Sequence, residues 1–177
     1  QQAQLSTAPQ AISVAAKSYI LTDFQSGQTL FGQNVHERVE PASLTKLMTA
    51  YVVFSALHQK RITLTQGVAV SEQAWRAQGS RMFIEPSRTV TIDELMRGMI
   101  VQSGNDACIA LAEAVAGTES AFVQMMNKEA GRLGMKNTRV ANSTGLRHTE
   151  HYTTPPDLAL PGARLHRDFA VTFPLCV

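Results

Sequence analysis

Hydrophobic and polar positions in the N-terminal part of the chain predict a β-hairpin. Residues 18–23, Ser-Tyr-Ile-Leu-Thr-Asp, are rich in strand-forming side chains. Residues 29–32, Thr-Leu-Phe-Gly, resume an apolar run. Between the two, residues 25–28 read Gln-Ser-Gly-Gln, which is typical of a turn. The pattern therefore indicates two antiparallel strands joined by a short connection.

From Pro41 onward the apolar residues take the spacing of a helix. Proline is well placed at a helix start, because its nitrogen has no hydrogen to leave unpaired. The apolar positions that share one helical face are Leu44, Leu47, Met48, Tyr51, Val52 and Phe54. The pattern predicts a helix over about 42–59 that buries this face.

The middle of the chain is predicted to be mostly helical. Two short β-like pieces come first, at 68–70 and 82–84. A capping box at 91–94, Thr-Ile-Asp-Glu, then opens a helix. Further helices are predicted over 106–116 and 118–133, each ended by a glycine. The methionines at positions 96, 99, 125 and 126 are predicted to fill the core.

The C-terminal part of the chain carries a weaker pattern. Residues 153–157, Thr-Thr-Pro-Pro-Asp, are typical of a helix start. Pro161 and Gly162 follow inside the helical pattern, where proline costs about 3 kcal/mol and glycine about 1 kcal/mol relative to alanine. We therefore expect this helix to kink or stop at Leu160.

Composition narrows the class of protein. The chain has 177 residues, of which 44% are hydrophobic and 17% charged, so it can bury a core and is not a disordered chain. A net charge of +2 without a basic run argues against a basic surface for nucleic-acid binding. No apolar stretch is long enough for a membrane span. The polar start of the chain lacks the apolar core of a secretory signal. We predict a flexible lead-in over 1–16 and a folded unit over 17–177.

Ser43 and Lys46 are the first candidates for chemistry. The two residues are three positions apart at a helix start, so their side chains share one face of the helix. A serine hydroxyl becomes nucleophilic when a neighbouring base takes its proton, and a lysine acts as that base when burial lowers its pKa. The partial positive charge of a helix N-terminus favours a developing oxyanion. The alternative is that Ser43 is a surface hydroxyl beside an exposed lysine. A chain of this composition contains about 0.3 Ser-x-x-Lys motifs by chance, so the motif alone is a weak signal.

A second motif, Ser-Gly-Asn at 103–105, lies between two predicted helices. Such a connection can project side chains into a cleft. There, the Ser103 hydroxyl could relay a proton to a leaving amine, while the Asn105 amide could hold both the lysine and a substrate carbonyl. The alternative is structural: a helix stop at Ser103 and Gly104, with Asn105 as the cap of the next helix.

Several segments together resemble the penicillin-binding serine D-Ala-D-Ala carboxypeptidases of low molecular mass, in the S11 peptidase family. The segments that carry the resemblance are 41–50, 102–108, 133–138 and 142–146. Class A β-lactamases share the Ser-x-x-Lys signature but carry an aspartate where this chain has Gly104. The resemblance implies an α+β, β-lactamase/transpeptidase-like fold with a helical region and an N-terminal hairpin.

The resemblance also implies roles for four residues. Ser43 would be the acylated nucleophile, Lys46 its general base, Ser103 the proton relay, and Asn105 a ligand of Lys46 and the substrate. The implied reaction removes the terminal D-Ala from a peptidoglycan pentapeptide through an acyl-enzyme, in the periplasm or cell envelope. β-Lactams would be covalent inhibitors, and no metal or cofactor is implied.

One motif of the family has no counterpart here. Neither Lys-Thr-Gly nor Lys-Ser-Gly occurs in residues 1–177. In the family that motif lies on a sheet strand and supplies a cation and one oxyanion donor, whose loss costs about 10²–10³ in rate. We therefore expect a truncated chain whose C-terminal sheet strands are missing and whose activity is impaired. The alternative function is a non-catalytic remnant that at most binds cell-wall peptide or a partner.

Three further groups are candidates for functional residues. His148 and His151 are three apart, whereas the metalloprotease pattern needs four, so a solvent-facing turn is favoured over a metal site. Cys108 is expected to be a buried thiol, with a disulfide to Cys176 left open. Arg81 could meet a substrate carboxylate, although surface charge is the commoner role for such an arginine.

Overall fold

The computed structural model describes residues 14–170 of the chain. Most of the predicted lead-in and the last seven residues, which include Cys176, lie outside this part. The elements run in the order β1 (Tyr19–Thr22), β2 (Thr29–Gln33), a 3₁₀ turn (Ala42–Thr45), α1 (Lys46–His58), β3 (Gly67–Ala69), α2 (Glu72–Trp75), β4 (Thr89–Thr91), α3 (Ile92–Val101), α4 (Asn105–Ala116), α5 (Glu119–Leu133) and α6 (Pro155–Asp168). Within residues 14–170, no helix combines the length and hydropathy needed to cross a membrane.

Two small antiparallel sheets carry the strands, and the first confirms the predicted hairpin. β1 pairs with β2, with a shift of register between Leu21 and Thr22. The connecting turn closes because the Asp23 carboxylate accepts from the Ser26 backbone N–H at 2.7 Å and from its hydroxyl at 2.6 Å. β3 pairs with β4 to form the second sheet.

The strand predicted at 82–84 is wrong, and a buried carboxylate explains why. The backbone N–H groups of Met82, Phe83 and Ile84 donate to the Asp106 carboxylate at 3.0, 2.8 and 3.2 Å. Phe83 has a φ of +65°, which no strand accommodates. The chain therefore satisfies these donors with a side chain of α4 instead of a neighbouring strand.

Helix α1 lies at the centre of the core and packs against α3, α4, α5 and α6. The prediction that it buries a single face is wrong, because most of its residues are buried. A helix surrounded by other helices has no face toward solvent, so its apolar residues are not confined to one face. Met96, Met99 and Met126 are fully buried and Met125 partly, which confirms the core methionines.

The cap signals of α3 and α5 predicted the bounds of these helices well. Thr91 and Glu94 form the predicted capping box of α3. Thr118 caps α5 by accepting from the Ala121 N–H at 3.1 Å. Gly134, with a φ of +85°, ends α5 where the sequence placed its stop.

Of the two expectations at Leu160, a kink or a stop, the stop is wrong, since α6 continues through Pro161 to Asp168, and the kink stays a prediction. The helix packs against α1, and both Pro161 and Leu165 are buried. The Tyr51 hydroxyl donates to Asp168 Oδ2 at 2.8 Å, which ties the last turn to α1. Burial and this hydrogen bond offset the intrinsic cost of an interior proline. This stabilisation comes from tertiary contacts, so the local sequence does not predict it.

Candidate active site

Ser43 lies in a turn that leads directly into the buried helix α1. The residues from Ala42 to Thr45 form 3₁₀ helix, and Ala42 has a φ of +47°. This turn exposes Ser43 at the surface, while Lys46, at the first position of α1, is only 8% exposed. The predicted helical spacing therefore places a hydroxyl at the surface with an amine beneath it.

The Lys46 ammonium nitrogen lies within hydrogen-bond distance of three oxygens. Nζ is 2.8 Å from Asn105 Oδ1 and 2.7 Å from the backbone carbonyl oxygen of Thr144. It is 3.3 Å from Ser43 Oγ, the longest of the three distances. Three segments far apart in sequence therefore converge on one nitrogen.

Burial lowers the pKa of Lys46 from its ordinary value, because a charged ammonium loses hydration inside the protein. A neutral amine has two N–H donors and one lone pair. The amide oxygen of Asn105 and the carbonyl of Thr144 can accept both donors, which leaves the lone pair directed at the Ser43 hydroxyl. This arrangement suits removal of the serine proton.

Ser103 and Asn105 enter the same site from the connection between α3 and α4. Ser103 has a φ of +55°, and its hydroxyl donates to Ser43 Oγ at 3.1 Å. Asn105 Nδ2 donates to the Gln78 carbonyl at 2.7 Å, so the amide bridges Lys46 to a neighbouring loop. Asn105 does not cap α4, as the structural alternative proposed, because Gly104 occupies the cap position.

Open space lies on both sides of the Ser43 hydroxyl. A cavity of about 340 Å³ on one side is lined by a mixture of polar and apolar groups, the polar ones including Ser80, Asn105 and Thr144. A second cavity of about 400 Å³ on the other side has mostly apolar walls, from α1, α3 and α6. The hydroxyl is therefore accessible to a ligand that lies across it.

Thr144 and Gly145 are site residues that the side-chain chemistry of the sequence did not indicate. The Asn142 side-chain oxygen accepts the backbone N–H groups of Thr144 and Gly145, at 3.2 and 2.8 Å. This turn directs the Thr144 carbonyl at Lys46. The Asn-Ser-Thr-Gly pattern was a signal for a turn, but no local pattern shows which carbonyl a turn presents to a distant residue.

Replacement of Gly145 by alanine is expected to disrupt the site. An added Cβ would lie 1.8 Å from the Ala42 carbonyl oxygen, which is backbone, and Gly145 has a φ of +89°. We expect a loss of at least about 3 kcal/mol of stability, because the clash and the left-handed backbone both cost energy. Thermal unfolding with Gly131→Ala as the control measures this, since a Cβ at that exposed helical position meets nothing within 4 Å. Equal unfolding temperatures for the two variants would contradict the packing described.

The two histidines weighed as metal ligands lie in different environments. His151 is buried, and its Nε2 lies 2.9 Å from the Thr45 hydroxyl. His148 is exposed, and its Nδ1 accepts from the Glu150 backbone N–H at 3.1 Å. Across residues 14–170, no group of three or more histidine, cysteine or acidic side chains is placed to hold a metal ion.

Arg81 contacts an aromatic ring, and Cys108 lies in the core; a role for Arg81 toward a substrate carboxylate stays a prediction. The Arg81 guanidinium lies over the Phe83 ring, 4.8 Å from its centroid. Cys108 is fully buried, and burial raises the pKa of its thiol to about 12, so the thiol is protonated at neutral pH. Its proposed disulfide partner lies outside the described residues.

Comparison with known proteins gives a consistent result over nearly the whole chain. The family model described as D-alanyl-D-alanine carboxypeptidase matches residues 4–174. The chain is 44% identical over 165 residues to D-alanyl-D-alanine carboxypeptidase DacC of Escherichia coli K12, covering 90% of this chain and 41% of the relative. It therefore spans about two-fifths of the length of that relative.

Solved structures match equally well. The carboxypeptidase DacD from Francisella tularensis superposes with a TM-score of 0.95 at 36% identity, covering 99% of this chain and 43% of that one. Penicillin binding protein 5 from Haemophilus influenzae superposes with a TM-score of 0.89 at 40% identity, covering 93% of this chain and 48% of that one.

Proposed function

The chain belongs to the D-alanyl-D-alanine carboxypeptidase family and has a penicillin-binding, transpeptidase-like fold, and from this premise we propose that it carries the acylating serine of such an enzyme. The proposed substrate is a peptidoglycan pentapeptide ending in D-Ala-D-Ala, with β-lactams as covalent inhibitors. Because that polymer lies outside the cytoplasmic membrane, the proposed site of action is the periplasm or cell envelope. One observation carries the proposal: the Lys46 nitrogen is buried and lies 3.3 Å from the exposed Ser43 hydroxyl.

In the acylation step, the neutral Lys46 amine takes the Ser43 proton as Oγ attacks the carbonyl carbon of the penultimate D-Ala. The π electrons of that carbonyl move to its oxygen and form a tetrahedral oxyanion. The partial positive charge at the start of the 3₁₀ turn and α1 favours this charge. The base therefore acts on the Ser43 proton, the nucleophile on the carbonyl carbon and the helix start on the carbonyl oxygen, all in one step.

Collapse of the tetrahedral intermediate breaks the peptide bond and releases D-Ala. The departing nitrogen needs a proton, which Lys46 now holds. The Ser103 hydroxyl lies 3.1 Å from Ser43 Oγ, so it is placed to pass a proton toward the leaving amine. Water then hydrolyses the Ser43 ester with the same groups acting in reverse, which restores the free serine.

Asn105 holds Lys46 in this scheme. Its Oδ1 accepts from Nζ, while its Nδ2 is engaged by the Gln78 carbonyl. The amide is thereby fixed in one orientation, and Lys46 is held without a carboxylate partner that would raise its pKa. An uncharged partner keeps the amine available as a base.

Labelling with a fluorescent penicillin tests the proposal. We expect one covalent adduct on the folded chain, mapped by peptide mass spectrometry to the peptide that contains Ser43. Chain unfolded in urea is the control and should remain unlabelled. Folded chain that takes no label would refute acylation and leave the alternative of a non-catalytic protein that binds cell-wall peptide or a partner.

A further inference from the structure

A buried hydrogen bond lies directly behind the serine turn, between Thr45 and His151. The Thr45 hydroxyl is 2.9 Å from His151 Nε2, and the two residues are 2% and 4% exposed. Thr45 is the last residue of the turn that carries the candidate nucleophile and directly precedes Lys46. A buried polar contact at this point bears on the geometry of both neighbours.

The segment that carries His151 is itself anchored. Val39 and Thr153 exchange backbone hydrogen bonds of 2.8 and 3.0 Å, which ties the His151 segment to the chain just before the serine turn. The His151 backbone N–H also donates to the His148 carbonyl at 3.0 Å. The imidazole is therefore a rigid support, and the Thr45 hydroxyl is the part of the turn that it holds.

The second nitrogen of the His151 ring restricts its protonation state. Nδ1 is buried and has no hydrogen-bond partner. A neutral ring that donates from Nε2–H to the Thr45 hydroxyl leaves only an acceptor unpaired at Nδ1. A charged ring would place an N–H donor there without a partner, which is costly in the interior.

The charged and titratable groups around His151 shift its pKa in opposite directions. Burial lowers the pKa of His151, and a charged His148 lowers it further, whereas Glu40 raises it. Arg147 donates from Nε to both Glu40 oxygens at 3.1 Å, which offsets part of the effect of that carboxylate. Burial, the largest of these effects, favours the neutral ring.

We propose that neutral His151 is a positioning residue for acylation, which acts through the Thr45 hydroxyl to hold Ser43 and Lys46 in reacting geometry. The inference rests on the proposed function and extends it to a residue outside the serine, lysine and asparagine motifs. Loss of the bond frees the turn between nucleophile and base, and small displacements of reacting groups lower rates strongly. Protonation of the ring in acid has the same effect, because a buried cation at this position strains the contact.

Acylation kinetics with penicillin test the inference, with binding and chemical steps resolved by stopped flow. We expect Thr45→Val and His151→Phe each to lower the acylation rate constant about tenfold or more, with little change in the dissociation constant for penicillin. Thr45→Ser, which keeps the hydroxyl, should restore the rate. The double variant Thr45→Val/His151→Phe should be no slower than the slower single variant, because both changes remove the same bond. His36→Gln, at an exposed histidine, is the matched control.

The pH profile separates this role from a merely structural one. The wild-type acylation rate should fall in acid as Lys46 and His151 each gain a proton. His151→Gln should lose the part of this fall that comes from the imidazole and keep the part that comes from Lys46, while His148→Gln should keep both. Additive effects in the double variant, or lower stability with unchanged acylation of the folded chain, would overturn the inference. A wild-type chain that is not acylated would refute the proposed function and this role together. Normal acylation of Thr45→Val would refute only this role.

Discussion

Replacement of Ser43 by alanine is expected to abolish covalent labelling by penicillin, with a loss of at least about 10⁴-fold in acylation. The reason is chemical, since without Oγ no ester can form. The Ser103 hydroxyl lies 3.1 Å from Ser43 Oγ, whereas Ser43 itself has the Lys46 nitrogen as a base at 3.3 Å. Labelling of the folded variant by fluorescent penicillin, followed by gel electrophoresis, measures the loss.

Stability provides the internal check on this result. Ser43 is exposed, so the alanine variant should unfold within about 0.5 kcal/mol of wild type. Ser120→Ala, at an exposed serine near the start of α5, is the matched control and should label normally. A Ser43→Ala variant that folds and still labels would show that another residue is the nucleophile.

Replacement of Lys46 by methionine is expected to lower acylation at neutral pH by about 10³-fold, within the range for loss of a general base. Methionine fills a similar volume but cannot accept the serine proton. Because burial lowers the pKa of Lys46, wild-type acylation should rise with pH as the amine loses its proton. The residual activity of the variant should lack the part of this rise that comes from Lys46.

The same lowered pKa has a consequence for stability. The unfolded chain binds the Lys46 proton more tightly than the folded chain does, so folding stability should rise with pH from the lowered pKa toward the ordinary value of 10.5. Lys46→Met should remove this contribution, while Lys128→Met, at an exposed lysine on α5, should keep it. Acylation by Lys46→Met with the wild-type pH profile would exclude Lys46 as the base.

Local sequence was sufficient for much of the fold. The hairpin and the bounds of α3 and α5 follow from turn and cap residues, whose effects act within a few positions along the chain. The pairing of Ser43 with Lys46 is of the same kind, because positions three apart in a helix share a face. The catalytic roles carried over from the family stay predictions, although the four side chains do lie together.

Tertiary structure decided the rest, because the contacts that fix these features join residues far apart in sequence. The peptide groups at 82–84 became a loop because the Asp106 carboxylate, more than 20 positions away, accepts their N–H groups. Helix α6 passes through Pro161 because burial against α1 offsets the proline. The Thr144 carbonyl accepts from Lys46, which is 98 positions away in the sequence. Every residue has a backbone carbonyl, so residue type does not indicate which one contacts Lys46. Residue types and short spacings thus determined which groups were available for chemistry, while packing among helices determined which of them meet.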